Sequence, residues 1–150
     1  MNAPMNTRTD IATTRFLSGY NCAQAVLDAF RDEAGLDEDL VLKIATGLGA
    51  GMGRKQEVCG AVTGGILVLG LRHGRGSTGD HSATELTYLR TRELMDRFAA
   101  RHGSCLCRQL LQGYDLSTED GLHRAKADDM LTKVCRPCVQ TVVEILERVK

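Results

Sequence analysis

Apolar residues recur at helical spacing in three stretches of the chain. The first lies within residues 21–30, where apolar positions repeat at i, i+3, i+4 and i+7 behind Asn21, a residue suited to cap a helix. The second spans residues 81–102 and is followed by Gly103, which favours a helix end. The third follows Pro137, which the first turn of a helix tolerates. A shorter helix is expected over residues 37–46, so the pattern indicates a helical protein.

The middle of the chain is rich in glycine instead. Eleven of the 16 glycines lie between Gly47 and Gly79. Residues 47–53 predict a flexible turn, or a place where the backbone comes very close to another group. In the apolar stretch that follows, small residues spaced four apart would let a neighbouring helix approach closely. We therefore predict a buried central helix over residues 59–71, with a strand at 66–71 as the alternative and an exposed loop over 73–80.

Composition narrows the class of protein. The chain has 150 residues, 43% of them hydrophobic, and its 19 Lys+Arg balance its 19 Asp+Glu. A nucleic-acid-binding protein would show a basic surplus. The longest apolar run falls short of the ~20 residues that cross a membrane, and the first ten residues lack a secretion signal. We predict one all-α domain over residues 1–150, a helical bundle with a flexible N-terminus at residues 1–9, in the cytoplasm.

Familiar cofactor and catalytic motifs are missing. The glycines of residues 47–53 do not match the spacing of a dinucleotide-binding loop, and Gly53 is not followed by the Lys-Ser/Thr of a P-loop. No general acid–base pair or substrate site can be identified, so no catalytic residue is assigned, and whether the protein is an enzyme stays open. Among the four histidines only His102, near Cys105, is kept as a reserve metal ligand.

The six cysteines carry the candidate chemistry. A disulfide scaffold has more than roughly 8–10% Cys, and this chain has fewer. Four thiols lie at predicted helix starts, where the partial positive charge of the helix favours thiolate, the form that binds metals and attacks disulfides. Three of them, Cys22, Cys59 and Cys135, continue the apolar faces of the predicted helices, so we expect the thiols to converge inside the bundle. These four are Cys22, Cys59, Cys107 and Cys135.

The elements around these thiols resemble a known family. They are Gly19-Tyr-Asn-Cys-Ala-Gln-Ala-Val26, Cys59-Gly-Ala-Val-Thr-Gly64, Cys107-Arg-Gln-Leu-Leu, and a Cys135 four residues before Val139. Together they look like the redox-active proteins named C_GCAxxG_C_C, which are small bacterial proteins with four characteristic cysteines. The resemblance implies redox activity, an iron–sulfur-type group, and a functional set of Cys22, Cys59, Cys107 and Cys135. Cys105 and Cys138 depart from that pattern.

Four functions remain open at this point. The leading hypothesis is an iron–sulfur cluster or other thiolate-bound metal on Cys22, Cys59, Cys107 and Cys135, serving electron transfer or redox sensing with an unidentified redox partner protein. The second is a dithiol–disulfide oxidoreductase without cofactor, through Cys135 and Cys138. The third is a structural zinc site on Cys105, Cys107, Cys135 and Cys138. The fourth is an interaction domain with idle thiols; homo-oligomer formation is left open.

Overall fold

The fold is built almost entirely from helices, and five of the eight named below start at a side-chain cap. The computed structural model describes residues 7–150 and is 74% helical. Within these residues no strand forms, and the all-α, single-domain expectation is confirmed. The helices are α1 Arg8–Leu17, α2 Cys22–Phe30, α3 Glu38–Ala45, α4 Gly60–His73, α5 His81–His102, α6 Cys107–Leu110, α7 Glu119–Ala127 and α8 Arg136–Arg148.

The predicted helix boundaries follow from local chemistry. Asn21 accepts the Gln24 N–H while the Gln24 side chain accepts the Asn21 N–H, which fixes the start of α2. Asp37 caps α3, and Gly103 ends α5 in the left-handed conformation with φ 87°. The alternative strand at residues 66–71 does not form, because this stretch belongs to α4.

The central helix α4 packs most closely on α2 because its glycines face that helix. A Cβ added at Gly64 would lie 2.8 Å from the Ala23 carbonyl oxygen and 3.0 Å from the Ala23 Cα. Backbone therefore touches backbone between the two helices, as the spacing of small residues predicts. The opposite side of α4 packs on α5 and α8, so the glycine-rich helix lies at the centre of the core.

Residues 1–9 were expected to form a flexible N-terminal segment, and the structure describes only the last three of them. Residues 1–6 lie outside the described part of the chain. The next three, expected to belong to a flexible segment, instead begin α1: Thr7 caps the helix, and Arg8 forms an ion pair with Asp32 at 2.6 Å. The Arg8 guanidinium also lies over the ring of the buried Phe30. These contacts explain why residues 7–9 are held at the start of α1 rather than being flexible.

In residues 7–150, none of the helices combines the length and the apolar character needed to cross a lipid bilayer.

Candidate functional site

Cys22 is the first residue of α2, as predicted, and it points into the protein. It is 8% exposed. Two bonds fix the helix start against the end of α3, from Asn21 Nδ2 to the Thr46 carbonyl and from Gln24 Nε2 to the Leu42 carbonyl, both 2.9 Å. A Cβ at Gly60 would lie 3.3 Å from Cys22 Cβ. The absence of that side chain lets Cys22 approach the start of α4, which Cys59 immediately precedes.

The segments that contain Cys59 and Cys107 are joined by backbone hydrogen bonds. The Cys59 N–H donates to the Cys105 carbonyl, and the Cys107 N–H donates to the Glu57 carbonyl, both at 2.7 Å. These bonds flank an isolated antiparallel bridge between Val58 and Leu106. Two cysteines that are far apart in the sequence are thus held side by side, each at the start of a helix.

The position of Cys135 differs from the prediction. We expected it to open the last helix, but it lies inside a continuous helical stretch, at the end of a π turn, Leu131–Cys135, that runs into α8. The Arg136 N–H bonds the Leu131 carbonyl across this wider turn. Pro137 has no N–H to donate and its ring crowds the preceding turn, and such sites suit a π turn. Cys135 therefore does not lie at a free helix N-terminus, where a partial positive charge would stabilise its thiolate.

The four predicted thiols line a single cavity of about 250 Å³, and Cys138 lines it as well. The spatial expectation is therefore met: cysteines from distant segments share one pocket. The remaining wall is largely apolar and comes from the 107–116 segment, α7 and the π turn. Arg54 and Lys126 contribute cations, and no carboxylate is found among the described residues that line the cavity. The described residues that line the cavity therefore include two cations and no acidic side chain, which suits a bound anionic group.

The thiols are arranged in two contacting pairs. Cys138 is a hydrogen-bond donor toward Cys59, and this contact lowers the pKa of Cys59; burial opposes it, and the N–H groups of Ala61 and Val62 reinforce it. The same contact, followed by burial, raises the pKa of Cys138. In the second pair, the hydrogen bond to Cys135 and then burial raise the pKa of Cys22. Cys59 is therefore the thiol best placed to be a thiolate.

Cys107 lacks a thiol hydrogen-bond partner. Burial, followed by the nearby charges of Cys59 and Cys135, raises its pKa to about 12, and a hydrogen bond from Gln56 offsets only part of this. Cys107 and Cys59 are similarly buried, at 7% and 6% exposed. The two neighbouring thiols therefore differ in how readily they ionise rather than in access.

We expect alkylation to distinguish these two thiols. In reduced, metal-free protein at pH 8, iodoacetamide should modify Cys59 at least ~100-fold faster than Cys107, because only the thiolate reacts. The Cys107 rate should rise about tenfold per pH unit toward pH 12, since its proton is held until then. Peptide mass spectrometry measures both rates, with denatured protein as the control in which they converge. Equal rates in the folded protein would contradict the assigned charge states.

The two other candidate ligands lie elsewhere. Cys105 is half-buried, and its Sγ donates to the Met95 carbonyl at 3.4 Å rather than lining the cavity. His102, the reserve ligand, stacks on Phe98 with ring centroids 4.6 Å apart and bonds the Thr141 hydroxyl at 2.8 Å. Both side chains are therefore engaged in packing and hydrogen bonding away from the clustered thiols.

Gln56 is a positioning residue that sequence reasoning missed. Its buried side chain donates to the Tyr114 carbonyl at 2.9 Å and accepts from the Leu116 N–H at 3.0 Å, which holds the apolar wall of the cavity in place. Gln56 has a φ of 55° and follows Ala50–Arg54, five successive residues with positive φ. The glycine-rich turn predicted a close backbone approach, and Gly51 does pack against Gln56. An isolated glutamine gives no such signal.

The thiols are gathered around the cavity rather than closed around one point. Within residues 7–150, no three His, Cys, Asp or Glu side chains are arranged to hold a single metal ion as they stand. All six cysteines are free thiols. The site thus offers soft sulfur donors around a space, with the pairs Cys22–Cys135 and Cys59–Cys138 in contact.

Comparison with known proteins gives one match. A family model described as "Putative redox-active protein (C_GCAxxG_C_C)" matches residues 20–149, which is most of the chain and includes every cysteine. No curated protein and no solved structure matches the chain. The matched region contains the four thiols singled out from the sequence and all the described residues that line their cavity except Phe16 and Gly19.

Proposed function

The chain belongs to the C_GCAxxG_C_C family of redox-active proteins, and from that membership we propose that Cys22, Cys59, Cys107 and Cys135 hold an iron–sulfur cluster for electron transfer or redox sensing. The observation that carries the proposal is the convergence of these four thiols on one cavity. Such a group, when bound, would supply a one-electron redox couple. The protein's residues provide the ligands and control the surroundings.

The side chains at the cavity include the type of ligand that an iron–sulfur cluster requires. Iron–sulfur clusters are bound by cysteine thiolates, and here five cysteines line the cavity, with Tyr20, Arg54 and Lys126 as the other ionisable residues among those described. The position of Cys107 supports a ligand role in particular. Its thiol is buried beside other thiols, and it belongs to neither of the two contacting pairs, so disulfide formation within those pairs would not involve it. Four ligands from four separate segments would also tie the helices of the core together.

The spacing of the donors favours a cluster over a single zinc ion. Ligands of one ion must crowd around one point, whereas ligands of a cluster bind different iron atoms and stand further apart. The described residues show no three-donor arrangement for one ion but do show thiols around an open space. The zinc alternative also requires Cys105, whose thiol faces the Met95 carbonyl. We therefore rank zinc below an iron–sulfur group.

Charge around the cavity supports the same choice. A cluster with four thiolate ligands is negative, and Arg54 and Lys126 at the cavity would offset that charge. The N–H groups of Ala61 and Val62 approach Cys59, and hydrogen bonds to ligand sulfurs raise the reduction potential of such a group. The apolar wall limits water. We propose an unidentified protein as redox partner and a cytoplasmic setting, where thiols stay reduced.

Metal analysis of protein purified without oxygen tests the proposal. We expect brown protein with visible absorbance, containing iron and acid-labile sulfide in comparable amounts and little zinc. Stoichiometric zinc with loss of folding on chelation would replace the cluster with a structural zinc site. Colourless protein without iron, even after anaerobic reconstitution with ferrous iron and sulfide, would overturn the proposal.

A further inference from the structure

Cys138 lies outside the four-cysteine pattern, yet it lines the same cavity as Cys59, on a helix, α8, that packs on both α2 and α4 and so pairs its thiol with Cys59. From this pairing we propose a second activity for the metal-free protein: thiol–disulfide exchange with small anionic disulfides, closing a Cys59–Cys138 and a Cys22–Cys135 bridge. The sequence alone favours a different pair, Cys135 with Cys138, because their spacing is that of redox-active dithiols. In the folded protein each of these two cysteines contacts a thiol from another helix.

The two pairs determine which segments of the chain the disulfides would join and which cysteines would stay free. Each pair joins α8 or its π turn to a segment more than 70 residues away, so closure would lock the last helix against α2 and the start of α4. Cys107 bonds Gln56 rather than a thiol, and Cys105 bonds the Met95 carbonyl. Four thiols are thus placed to form bridges, and two are placed to stay free.

Solvent exposure determines which thiol of each pair reacts first with the substrate. Cys59 is 6% exposed and Cys138 is 1% exposed, so an entering disulfide meets Cys59 first and Cys138 resolves. Cys135 is likewise more open than Cys22. The cavity of about 250 Å³ admits only a small disulfide. Arg54 and Lys126 form no ion pair with any residue of the described chain, and no described carboxylate lines the cavity, so an anionic disulfide is favoured.

The exchange balances as a two-electron transfer at each pair. The Cys59 sulfur attacks one sulfur of the substrate disulfide; a new S–S bond forms, the substrate bond breaks, and one substrate thiolate leaves and takes up a proton. Cys138 then gives its proton to solvent, and its sulfur attacks Cys59 Sγ, which releases the second substrate thiolate. Two protein thiols become one disulfide and the substrate becomes two thiols. Cys135 and Cys22 repeat the sequence.

The bridges do not depend on the proposed cluster, but their regulatory consequence rests on it. Cys59, Cys22 and Cys135 cannot be cluster ligands and disulfide partners at the same time. If the proposed function holds, disulfide closure blocks loading of the site and loading protects these thiols. Cys138 separates the two activities, because it is a bridge partner outside the proposed ligand set.

The test uses reduced, metal-stripped full-length protein and 3,3′-dithiodipropionate, an anionic disulfide. Free thiols are counted by alkylation and intact mass. We expect the wild type to lose four of its six thiols. Trypsin does not cut before Pro137, so Cys135 and Cys138 share the peptide of residues 134–148, and the single variants identify the pairs.

Each variant has a distinct expected pattern. Cys135→Ser should lose two thiols and link peptides 56–72 and 134–148, whereas Cys138→Ser should lose two and link peptides 16–31 and 134–148. Cys105→Ser, the matched control, should still lose four. A Cys135–Cys138 bridge would overturn the proposal: the wild type would then lose two thiols and the first two variants none. If a variant fails to fold, the wild-type peptide map decides the matter: the proposed bridges link peptides 16–31, 56–72 and 134–148 together, whereas a Cys135–Cys138 bridge leaves peptide 134–148 unlinked.

The substrate class is tested by charge. Cystamine is a cationic disulfide of similar size, and at low ionic strength we expect it to react at least ~10-fold more slowly than 3,3′-dithiodipropionate. Exchanging both cations, Arg54→Gln with Lys126→Gln, should remove that difference while leaving the bridge pattern unchanged. Equal rates in the wild type would overturn the anionic class.

Discussion

Replacing Cys59 with serine is expected to remove the bound iron and the visible absorbance of the anaerobically purified protein. Cys59 is the thiol whose pKa is lowered, by Cys138 and by the N–H groups of Ala61 and Val62, so it is the ligand most ready to bind metal. A serine oxygen is a poor ligand for iron in this setting. Changes beyond the ligands themselves already cost 10–100-fold in metal affinity, so losing this ligand should cost at least ~100-fold.

Two further variants make the Cys59 result interpretable. Cys105→Ser should retain full iron and sulfide, because its thiol faces the Met95 carbonyl. Cys138→Ser should also retain them, because Cys138 lies outside the proposed ligand set. Circular dichroism and thermal melting establish that each variant is folded. Normal iron content in folded Cys59→Ser would exclude Cys59 from the ligands, and loss in Cys105→Ser would restore the zinc-type ligand set.

Replacing Gly64 with alanine is expected to destabilise the fold by about 2–3 kcal/mol, as overpacking in a tight core does. The added Cβ would meet the Ala23 carbonyl oxygen at 2.8 Å and the Ala23 Cα at 3.0 Å. Because these are backbone atoms, no change of rotamer can relieve the contact, and α2 must move away from α4. Urea unfolding measures the change, and any bound iron should fall with it, since Cys22 and Cys59 lie at the ends of these helices.

Gly70 provides the matched control for this substitution. It lies on the same helix, is exposed, and has nothing within 4 Å of an added Cβ. Gly70→Ala should therefore stabilise the protein by roughly 0.5–1 kcal/mol, because alanine is the better helix former. Opposite signs at the two glycines would establish the close approach of α2 and α4. A destabilisation of similar size at both positions would instead point to glycine's general role in α4.

Local sequence rules were sufficient for several helix ends. The cap at Asn21, the start of a helix near residue 37 and the ending at Gly103 were predicted within a residue or two, because capping depends on hydrogen bonds between neighbours in the chain. The π turn before Pro137 was missed because proline was expected to mark a helix start. The chain is already helical before Pro137, in a turn with a wider hydrogen-bond pattern.

The amino-acid sequence by itself predicted α2, α3, α4, α5 and a last helix, the central place of α4, and four of the five cysteines that line the cavity; it predicted neither α1 nor α7. These features depend on periodicity, on small residues at four-residue spacing and on the family's motif. Only the tertiary structure decided which thiols touch. It joined Cys59 to Cys138 and Cys22 to Cys135, separated Cys105 from the cavity and brought in Gln56. A contact between distant residues depends on how whole helices pack, and no local pattern encodes that geometry.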